Sequence, residues 1–260
     1  MIQNAKIVSL DTNPTDYLRE TGERGSTSFV MSSSGLRECG RNPQRWLHGY
    51  SSPGTEAKDW GSLLDCMVLQ PKQFKSRYSI EPSNYEALVM ECPTCHSQTD
   101  SKSCRKCGVE RVKTTVKKPW NNNADECADW AAKQTGKEII SAKRFFEATA
   151  ATERLFGDPV IKDFIDASDR QVWVSGEWAD KHTGLVIPIK AMIDLVPWHE
   201  TEWRKCLADL KSCRNAAPLP FQRATFEFGY FVQAAMHRAL YQAATPQHER
   251  NTWCFIIQEN

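Results

Sequence analysis

The eight residues CLADLKSC (206–213) read as a half-buried β-strand that carries two opposite charges two positions apart. Successive side chains of a strand point to opposite faces, so Asp209 and Lys211 share one face while Leu210 points to the other. An ordinary amphipathic strand with its charged face in water has this pattern. A strand that presents a carboxylate to a metal ion, with an ammonium group beside it, has the same pattern.

The preceding apolar stretch, LVIPIKAMIDLVP (185–197), predicts a second strand with Asp194 near its end. If the two strands pair antiparallel through the loop between them, Asp194, Asp209 and Lys211 converge at one end of the sheet. A buried carboxylate without a partner is costly, so two of them on neighbouring apolar strands indicate a shared cation. Oxygen ligands are those that Mg²⁺ or Mn²⁺ prefers. The spacing D-x(14)-D-x-K alone would also occur by chance in many proteins.

The remaining periodicities predict an α/β fold, with a mixed central β-sheet flanked by helices. Apolar residues recur at helical spacing from Thr55 to Leu69, and QVWVSGEW (171–178) alternates as a strand does. An aromatic-rich helix is expected over residues 221–244, and TWCFII near the C-terminus reads as one more strand. The expected organisation has three parts, namely a flexible N-terminal lead, a core in two segments and a small insertion, over residues 1–30, 31–83 with 121–260, and 84–120.

The composition is that of an ordinary globular protein. The 260 residues are 40% hydrophobic and 25% charged, and the formal net charge is only +1, so no global basic field indicates a nucleic-acid partner. The N-terminal sequence lacks the apolar core of a signal peptide, and no apolar run reaches membrane-spanning length, so a cytoplasmic protein is expected. Ten cysteines in such a chain favour metal binding or simple core packing over disulfides.

Two CxxC pairs lie in the polar stretch ECPTCHSQTDSKSCRKCG (91–108). Each pair can place two thiolates on one ion from a tight knuckle, and two knuckles complete a tetrahedral zinc site. Unligated thiols are the weaker alternative. Such a closed site would fold the insertion without chemistry of its own. The surrounding lysines and arginines either contact phosphates or form a solvated face. The four predicted zinc ligands are Cys92, Cys95, Cys104 and Cys107.

An ordered series of motifs resembles the PD-(D/E)xK nuclease superfamily, and within it the exonuclease VIII (RecE-type) branch encoded by phages and prophages. The resemblance covers most of residues 28–260 apart from the insertion. The stretches that carry it are the serine-capped opening helices MSSSGLRECGRNPQRWLHG, the helix and turn DWGSLLDCMVLQPKQF, the strands IKAMIDLV and LADLKSC, and the helix FEFGYFVQAAMHRAL.

The resemblance assigns roles to individual positions. Asp194 and Asp209 would bind the catalytic metal, and Lys211 would be the catalytic lysine. Tyr230 and Gln233, three residues apart on one helix face, would line the site and contact the DNA backbone or orient the lysine.

Further positions complete the implied site. Gly61 would allow its helix to approach closely, and Ser34 in the serine-rich start would contact the substrate. Asp65 stands where the family usually has histidine, and it can also ligate a hard cation. Where relatives often have a glutamate, the expected register places Trp173, and Glu177 on the same strand face is a substitute metal ligand.

The resemblance implies an Mg²⁺- or Mn²⁺-dependent, ATP-independent 5′-to-3′ exonuclease. It would digest double-stranded DNA ends in phage-type recombination and pass single strands to an annealing protein, in the cytoplasm of a bacterial host. Relatives form oligomeric rings, so a homo-oligomer is considered. Alternatives are a Cas4-like or repair endonuclease, a single-strand nuclease, and a catalytically impaired nuclease fold that binds DNA or protein. An α/β domain with a zinc staple and a charged sheet edge is the simplest alternative.

Overall fold

The structure is a computed structural model that describes residues 1–49, 54–99 and 101–259. The chain divides into two compact units, of which the first contains residues 1–71 and 148–260 and the second residues 72–147. No helix in the described part of the chain is both long and apolar enough to cross a membrane.

The first unit contains a five-stranded sheet and seven complete helices within the described ranges. Its strands are β1 (Ile2–Ser9), β6 (Ser168–Ala179), β7 (Val186–Pro197), β8 (Cys206–Cys213) and β9 (Thr252–Glu259). Its helices are α1 (Pro14–Arg19), α2 (Ser33–Arg41), α3 (Pro43–Leu47), α4 (Glu56–Leu69), α8 (Pro159–Asp166), α9 (Pro218–Glu227) and α10 (Tyr230–Ala244).

The second unit contains two two-stranded sheets. In one, β2 (Tyr78–Ile80) pairs parallel with β5 (Glu138–Ile140), and in the other, β3 (Asn84–Glu91) pairs antiparallel with β4 (Val112–Pro119). Helix α7 (Ala142–Gly157) begins in this unit's residue range and ends in that of the first. The unit is wider than the predicted insertion over 84–120, because the short strands β2 and β5 lie on either side of it in the chain. Its elements are β2 (Tyr78–Ile80), β3 (Asn84–Glu91), β4 (Val112–Pro119), β5 (Glu138–Ile140), α5 (Phe74–Arg77) and α6 (Asp125–Ala132).

The large sheet has the order β1-β6-β7-β8-β9. The neighbouring pairs β1–β6, β6–β7 and β7–β8 are antiparallel, and β9 pairs parallel with β8. The parallel pairing requires a crossover, which α9 and α10 supply. The predicted mixed sheet flanked by helices is therefore confirmed, including the antiparallel pairing of β7 with β8.

Two apolar clusters hold the helices to this sheet. Ala208 and Leu210 of β8 belong to the cluster that includes α4, α7 and α8, whereas Leu207 belongs to the cluster that includes Leu240 of α10. Because side chains alternate along a strand, Asp209 and Lys211 lie on the α10 side of β8.

The N-terminal segment differs from the predicted flexible lead, because residues 2–9 form strand β1 at the edge of the sheet. Register shifts between Gln3 and Lys6 and between Ile7 and Ser9 break the alternation in burial. The pattern that marks a strand in the sequence is therefore absent. The segment that follows β1 is also held to the sheet, because Nζ of the buried Lys190 of β7 donates a hydrogen bond to Oγ1 of Thr21 at 2.8 Å.

The predicted single helix over 221–244 is two helices, because α9 ends at Glu227 and α10 begins at Tyr230. Gly229 between them has φ +65°, a left-handed conformation that side chains disfavour. A Cβ atom on Gly229 would also lie 2.9 Å from Cδ of Arg37. The backbone turn at Gly229 therefore sets the direction of α10, which begins at Tyr230.

Candidate active site and zinc site

The two charges of β8 form a buried ion pair at the centre of the candidate active site. Oδ2 of Asp209 contacts Nζ of Lys211, and the Asp209 residue is 1% exposed. Burial alone would lower the pKa of the Lys211 ammonium, but the charges of Asp209 and Asp194 outweigh burial and raise that pKa. Lys211 therefore stays protonated beside the carboxylates, where a developing negative charge would meet it.

Asp194 of β7 lies next to this pair, as the hairpin arrangement predicts. Its Oδ2 accepts a hydrogen bond from the backbone N–H of Leu210 at 2.9 Å, and its Oδ1 accepts one from Nε2 of Gln171 at 3.0 Å. Burial raises the pKa of the Asp194 carboxyl, and the charges of Asp209 and Asp65 raise it further. A cation bound between these oxygens would remove that electrostatic cost.

Gln171 is a site residue that the sequence interpretation missed. In the antiparallel register it faces Asp194, between the pairs Arg170–Leu195 and Val172–Ile193. Its φ is +49°, and its carbonyl accepts a hydrogen bond from the backbone N–H of Thr12. Non-glycine residues in this conformation are strained and concentrate at functional sites. Its signal in the sequence is weak, a polar residue at the start of an apolar strand.

Glu177 does not reach this site. It lies opposite Pro188 and accepts a hydrogen bond from Nδ2 of Asn4 at 2.7 Å. It is six residues along β6 from Gln171, which at strand spacing is about 20 Å. The suggestion that Glu177 replaces a family carboxylate is therefore wrong. In the register of β6 on β7, Gln171 stands opposite Asp194, and Trp173 stands opposite Met192.

Helix α10 supplies the two residues predicted to line the site. Nε2 of Gln233 donates to Oδ1 of Asp209 at 2.7 Å, so the amide fixes the orientation of this carboxylate. The Tyr230 ring lies 5.1 Å from Nζ of Lys211, within the range of a cation–π interaction. Both side chains thus contact the charged groups of β8.

His237, one helical turn after Gln233, is a second residue that the sequence interpretation missed. It is fully buried, which lowers its pKa to about 4, so the imidazole is neutral near pH 7. Its Nε2 lies 3.2 Å from Oγ of Ser33, and its Nδ1 has no hydrogen-bond partner among the described residues. Ser33 is therefore the serine of α2 that faces α10. Ser34, the predicted substrate contact, is exposed and lies 3.0 Å from Oγ of Ser32.

Helix α4 brings Asp65 into electrostatic range of the site, because its charge affects the pKa values of both Asp194 and Lys211. A Cβ atom on Gly61 would lie 3.4 Å from Oγ of Ser212, which is an ordinary contact distance, so α4 runs close to β8 here but the spacing does not itself require glycine. Asp65, Asp194 and Asp209 do not form a group whose ligand oxygens all lie within 4.8 Å in the described part of the chain. The donor set still suits Mg²⁺, which uses one or two carboxylates and retains several waters.

The four cysteines do form such a group, since one sulfur atom from each lies within 4.8 Å of the others. They sit on two matching knuckles between β3 and β4. The N–H of His96 donates to the carbonyl of Cys92 at 2.9 Å, and that of Gly108 donates to Cys104 at 2.8 Å. His96 and Gly108 have φ values of +55° and +70°. The repeated turn is the geometry that two CxxC pairs need to share one ion.

The electrostatics of this cluster also fit a cation. Hydrogen bonds from the backbone of Cys107 and from Ser97 lower the pKa of Cys104 to about 6. Neighbouring sulfur atoms, Cys95 first, raise the pKa of Cys107 to about 12. The pKa of Cys95 is also lowered, so thiolates are favoured at some of these sulfur atoms and disfavoured at Cys107, and a bound Zn²⁺ would compensate the negative charge of all four.

Arg111 connects the two knuckles. It is 6% exposed, and its NH2 group donates to Oγ of Ser97 at 3.1 Å, while its NH1 group donates to the Ser97 carbonyl. Its backbone N–H donates to the carbonyl of Lys102 in the second knuckle at 2.9 Å. Ser97 Oγ in turn lies 3.2 Å from Sγ of Cys95. Arg111 thus holds both loops from outside the sulfur cluster.

Comparison with known proteins agrees with this geometry. A family described as a PDDEXK-like domain of unknown function (DUF3799) matches residues 36–258. No curated protein and no solved structure matches the chain significantly. The matched region contains the Asp194–Asp209–Lys211 constellation as well as the cysteine cluster. The chain therefore belongs to the PDDEXK-like DUF3799 family, within the PD-(D/E)xK nuclease superfamily.

Proposed function

We propose that this protein is a divalent-metal-dependent deoxyribonuclease that digests linear double-stranded DNA from its ends. The observation that carries the proposal is the buried contact of Asp209 with Lys211 beside Asp194. The PDDEXK-like family supports a nuclease-type function at the coarser level. The finer assignment, a RecE-type 5′-to-3′ exonuclease, rests on the ordered resemblance of the motifs.

Asp194 and Asp209 are the carboxylates that would hold the ion, with Asp65 near enough to add charge. A bound Mg²⁺ or Mn²⁺ would polarise the scissile phosphate and lower the pKa of an attacking water. Gln171 and Gln233 orient the carboxylates through hydrogen bonds of 3.0 and 2.7 Å. Lys211 offsets the negative charge that develops on the phosphate, and the Tyr230 ring restricts where its ammonium can move.

The proposal extends to the setting of the reaction. The products would be 3′ single strands for an annealing protein in phage-type recombination, in a bacterial cytoplasm. The zinc-binding hairpin would be structural, and a homo-oligomer would hold the DNA during repeated cleavage.

The test is digestion of linear duplex, circular duplex and single-stranded DNA with Mg²⁺ or Mn²⁺, by the wild type and by Lys211→Ala. Lys181→Ala, at an exposed turn, is the matched control. We expect loss of linear DNA that requires the metal and Lys211. Faster digestion of 5′-phosphorylated than 5′-hydroxyl ends would support the 5′-to-3′ direction.

Other outcomes select an alternative. Cleavage of circular DNA would favour an endonuclease, and digestion of single strands alone would favour a single-strand nuclease. A folded, zinc-loaded protein that cleaves none of these substrates with either metal would overturn the enzyme assignment. It would favour a binding module, for which the absence of a compact three-carboxylate group among the described residues is the motivating observation.

A further inference from the structure

Three phenylalanines project from the turn between α9 and α10. Phe226, Phe228 and Phe231, together called the aromatic corner, are 68%, 46% and 51% exposed. The rings of Phe226 and Phe231 lie 5.8 Å apart and are inclined at 48°. Single exposed apolar residues are common on protein surfaces, but adjoining exposed aromatic rings mark an interaction site.

The aromatic corner is continuous with the candidate active site. The Phe228 ring lies 5.7 Å from the ring of Tyr230, and the Tyr230 ring lies 5.1 Å from Nζ of Lys211. One side chain, Tyr230, thus separates the exposed Phe228 ring from the ion pair of Lys211 and Asp209. Gly229 makes this arrangement possible, because its left-handed backbone turns the chain between the last ring of α9 and the first of α10.

Two arginines lie against the same turn, which also carries the exposed Glu227. Arg37 donates to the carbonyl of Phe228, and Arg41 donates to that of Glu227. Burial lowers the pKa of Arg37, and the charges of Tyr230 and Asp209 act in the opposite direction, so this guanidinium lies in electrostatic range of the active site. Aromatic rings beside cationic side chains are the combination that proteins use to bind single-stranded nucleic acid.

We propose that the aromatic corner stacks unpaired nucleobases of the DNA strand whose phosphate reaches Lys211. This inference rests on the proposed function and names its substrate as a strand with unpaired terminal nucleotides. Bases within a duplex already stack on their neighbours, whereas unpaired bases offer free faces to the rings. A symmetric contact with a second copy is less suitable, because it would bring Arg37 and Arg41 towards their own counterparts.

The test is binding of a fluorescein-labelled 12-nucleotide single strand and of a blunt duplex, measured by anisotropy in zinc-containing buffer without Mg²⁺. The variants replace both Phe226 and Phe231 by alanine, by leucine or by tyrosine. Trp178→Ala is the control, because this residue is 41% exposed on β6 and lies about 23 Å along the strand from Gln171. We expect the alanine and leucine variants to bind the single strand at least about tenfold more weakly, a typical effect of losing one base–aromatic stack. The tyrosine and Trp178→Ala proteins should bind like the wild type.

Leucine keeps apolar surface without an aromatic face, so wild-type affinity in the leucine variant would overturn stacking. Absence of single-strand binding by the wild type would also overturn it. A wild-type dimer in sedimentation velocity that the alanine variant lacks, together with unchanged DNA affinity, would overturn it as well.

Digestion assays on the same proteins distinguish the stacking proposal from the nuclease proposal. If digestion depends on Lys211 but the alanine variant binds the single strand like the wild type, the stacking role of the aromatic corner is refuted and the nuclease proposal stands. If single-strand binding depends on the rings but no DNA is digested, the stacking role of the aromatic corner is supported and the nuclease proposal is refuted.

Discussion

Replacement of Lys211 by methionine is expected to destabilise the metal-free protein strongly and the Mg²⁺-bound protein weakly. Methionine keeps most of the side-chain volume and removes the charge. Asp209 is 1% exposed and would then face Asp194 without a cation, although the hydrogen bond from Gln233 would remain. Breaking a buried ion pair by removing one partner typically costs about 3–5 kcal/mol.

The local geometry places the effect near the lower end of that range. Opposite charges about 4 Å apart attract by about 4 kcal/mol at an effective dielectric constant of about 20. The Lys211 side chain is 20% exposed, so part of this attraction is screened, and its removal also ends its own desolvation cost. We therefore expect the free energy of unfolding to fall by about 3 kcal/mol without Mg²⁺. Mg²⁺ at a hundredfold excess over its Kd stabilises a protein by about 2.7 kcal/mol. Loss of the competing ammonium should tighten Mg²⁺ binding, so Mg²⁺ should stabilise the variant more than the wild type and narrow its deficit.

The assay is urea unfolding followed by circular dichroism, with zinc held constant and with or without Mg²⁺. Lys190→Met is the matched control, because Lys190 is 1% exposed but its ammonium donates to Thr21 and to a backbone carbonyl, and no carboxylate of the described residues is hydrogen-bonded to it. Its variant should lose stability equally in both buffers. The reasoning fails if Lys211→Met loses under about 1 kcal/mol without Mg²⁺, or if Mg²⁺ leaves its deficit unchanged.

Four further outcomes are expected. Arg111→Ala should release Zn²⁺ to a colorimetric chelator about ten times faster than Arg105→Ala, in line with the usual effect of losing an outer-shell partner; equal rates would contradict its bridging role. Gln171→Glu should lower the free energy of unfolding without Mg²⁺ by about 2 kcal/mol, because it adds a carboxylate beside Asp194, and Mg²⁺ should raise its Tm more than that of the wild type. In the metal-free protein, the raised pKa of Asp194 means that its stabilising contribution is present below its ordinary value of 3.8 and is lost as the pH rises through the folded-state pKa. Asp194→Asn should remove this slope in urea titrations, and an unchanged slope would show that another group causes it. Gly229→Ala should lower the Tm through a loss of about 1–2 kcal/mol, since φ is +65° there, and an unchanged Tm would contradict the required left-handed turn.

The sequence predicts those parts of the site that depend on the alternation of side chains along a strand or on the spacing of a motif. Alternation in β8 places Asp209 and Lys211 on one face, and the apolar run before it predicts the neighbouring strand with Asp194. The CxxC spacing predicts a sulfur cluster that the structure assembles. These features depend on local pattern and on one antiparallel pairing.

Other features depend on long-range pairing that no local pattern reveals. Gln171 meets Asp194 only because the register of β6 on β7 is fixed over the length of both strands. Glu177 shares the alternation of that strand but lies too far along it. Aromatic and helix-favouring residues lie on both sides of Gly229, so helical periodicity alone does not show that one helix ends and another begins there.

Strand β1 has a practical consequence for anyone shortening this protein. It covers the outer side of β6, and its backbone pairs with residues 173–178. Removing the first ten residues as a dispensable tail would leave a row of unpaired N–H and C=O groups on a twelve-residue strand. Such an open edge is a template for pairing with another chain. A shortened protein is therefore expected to precipitate or associate, even though every residue of the candidate active site is still present.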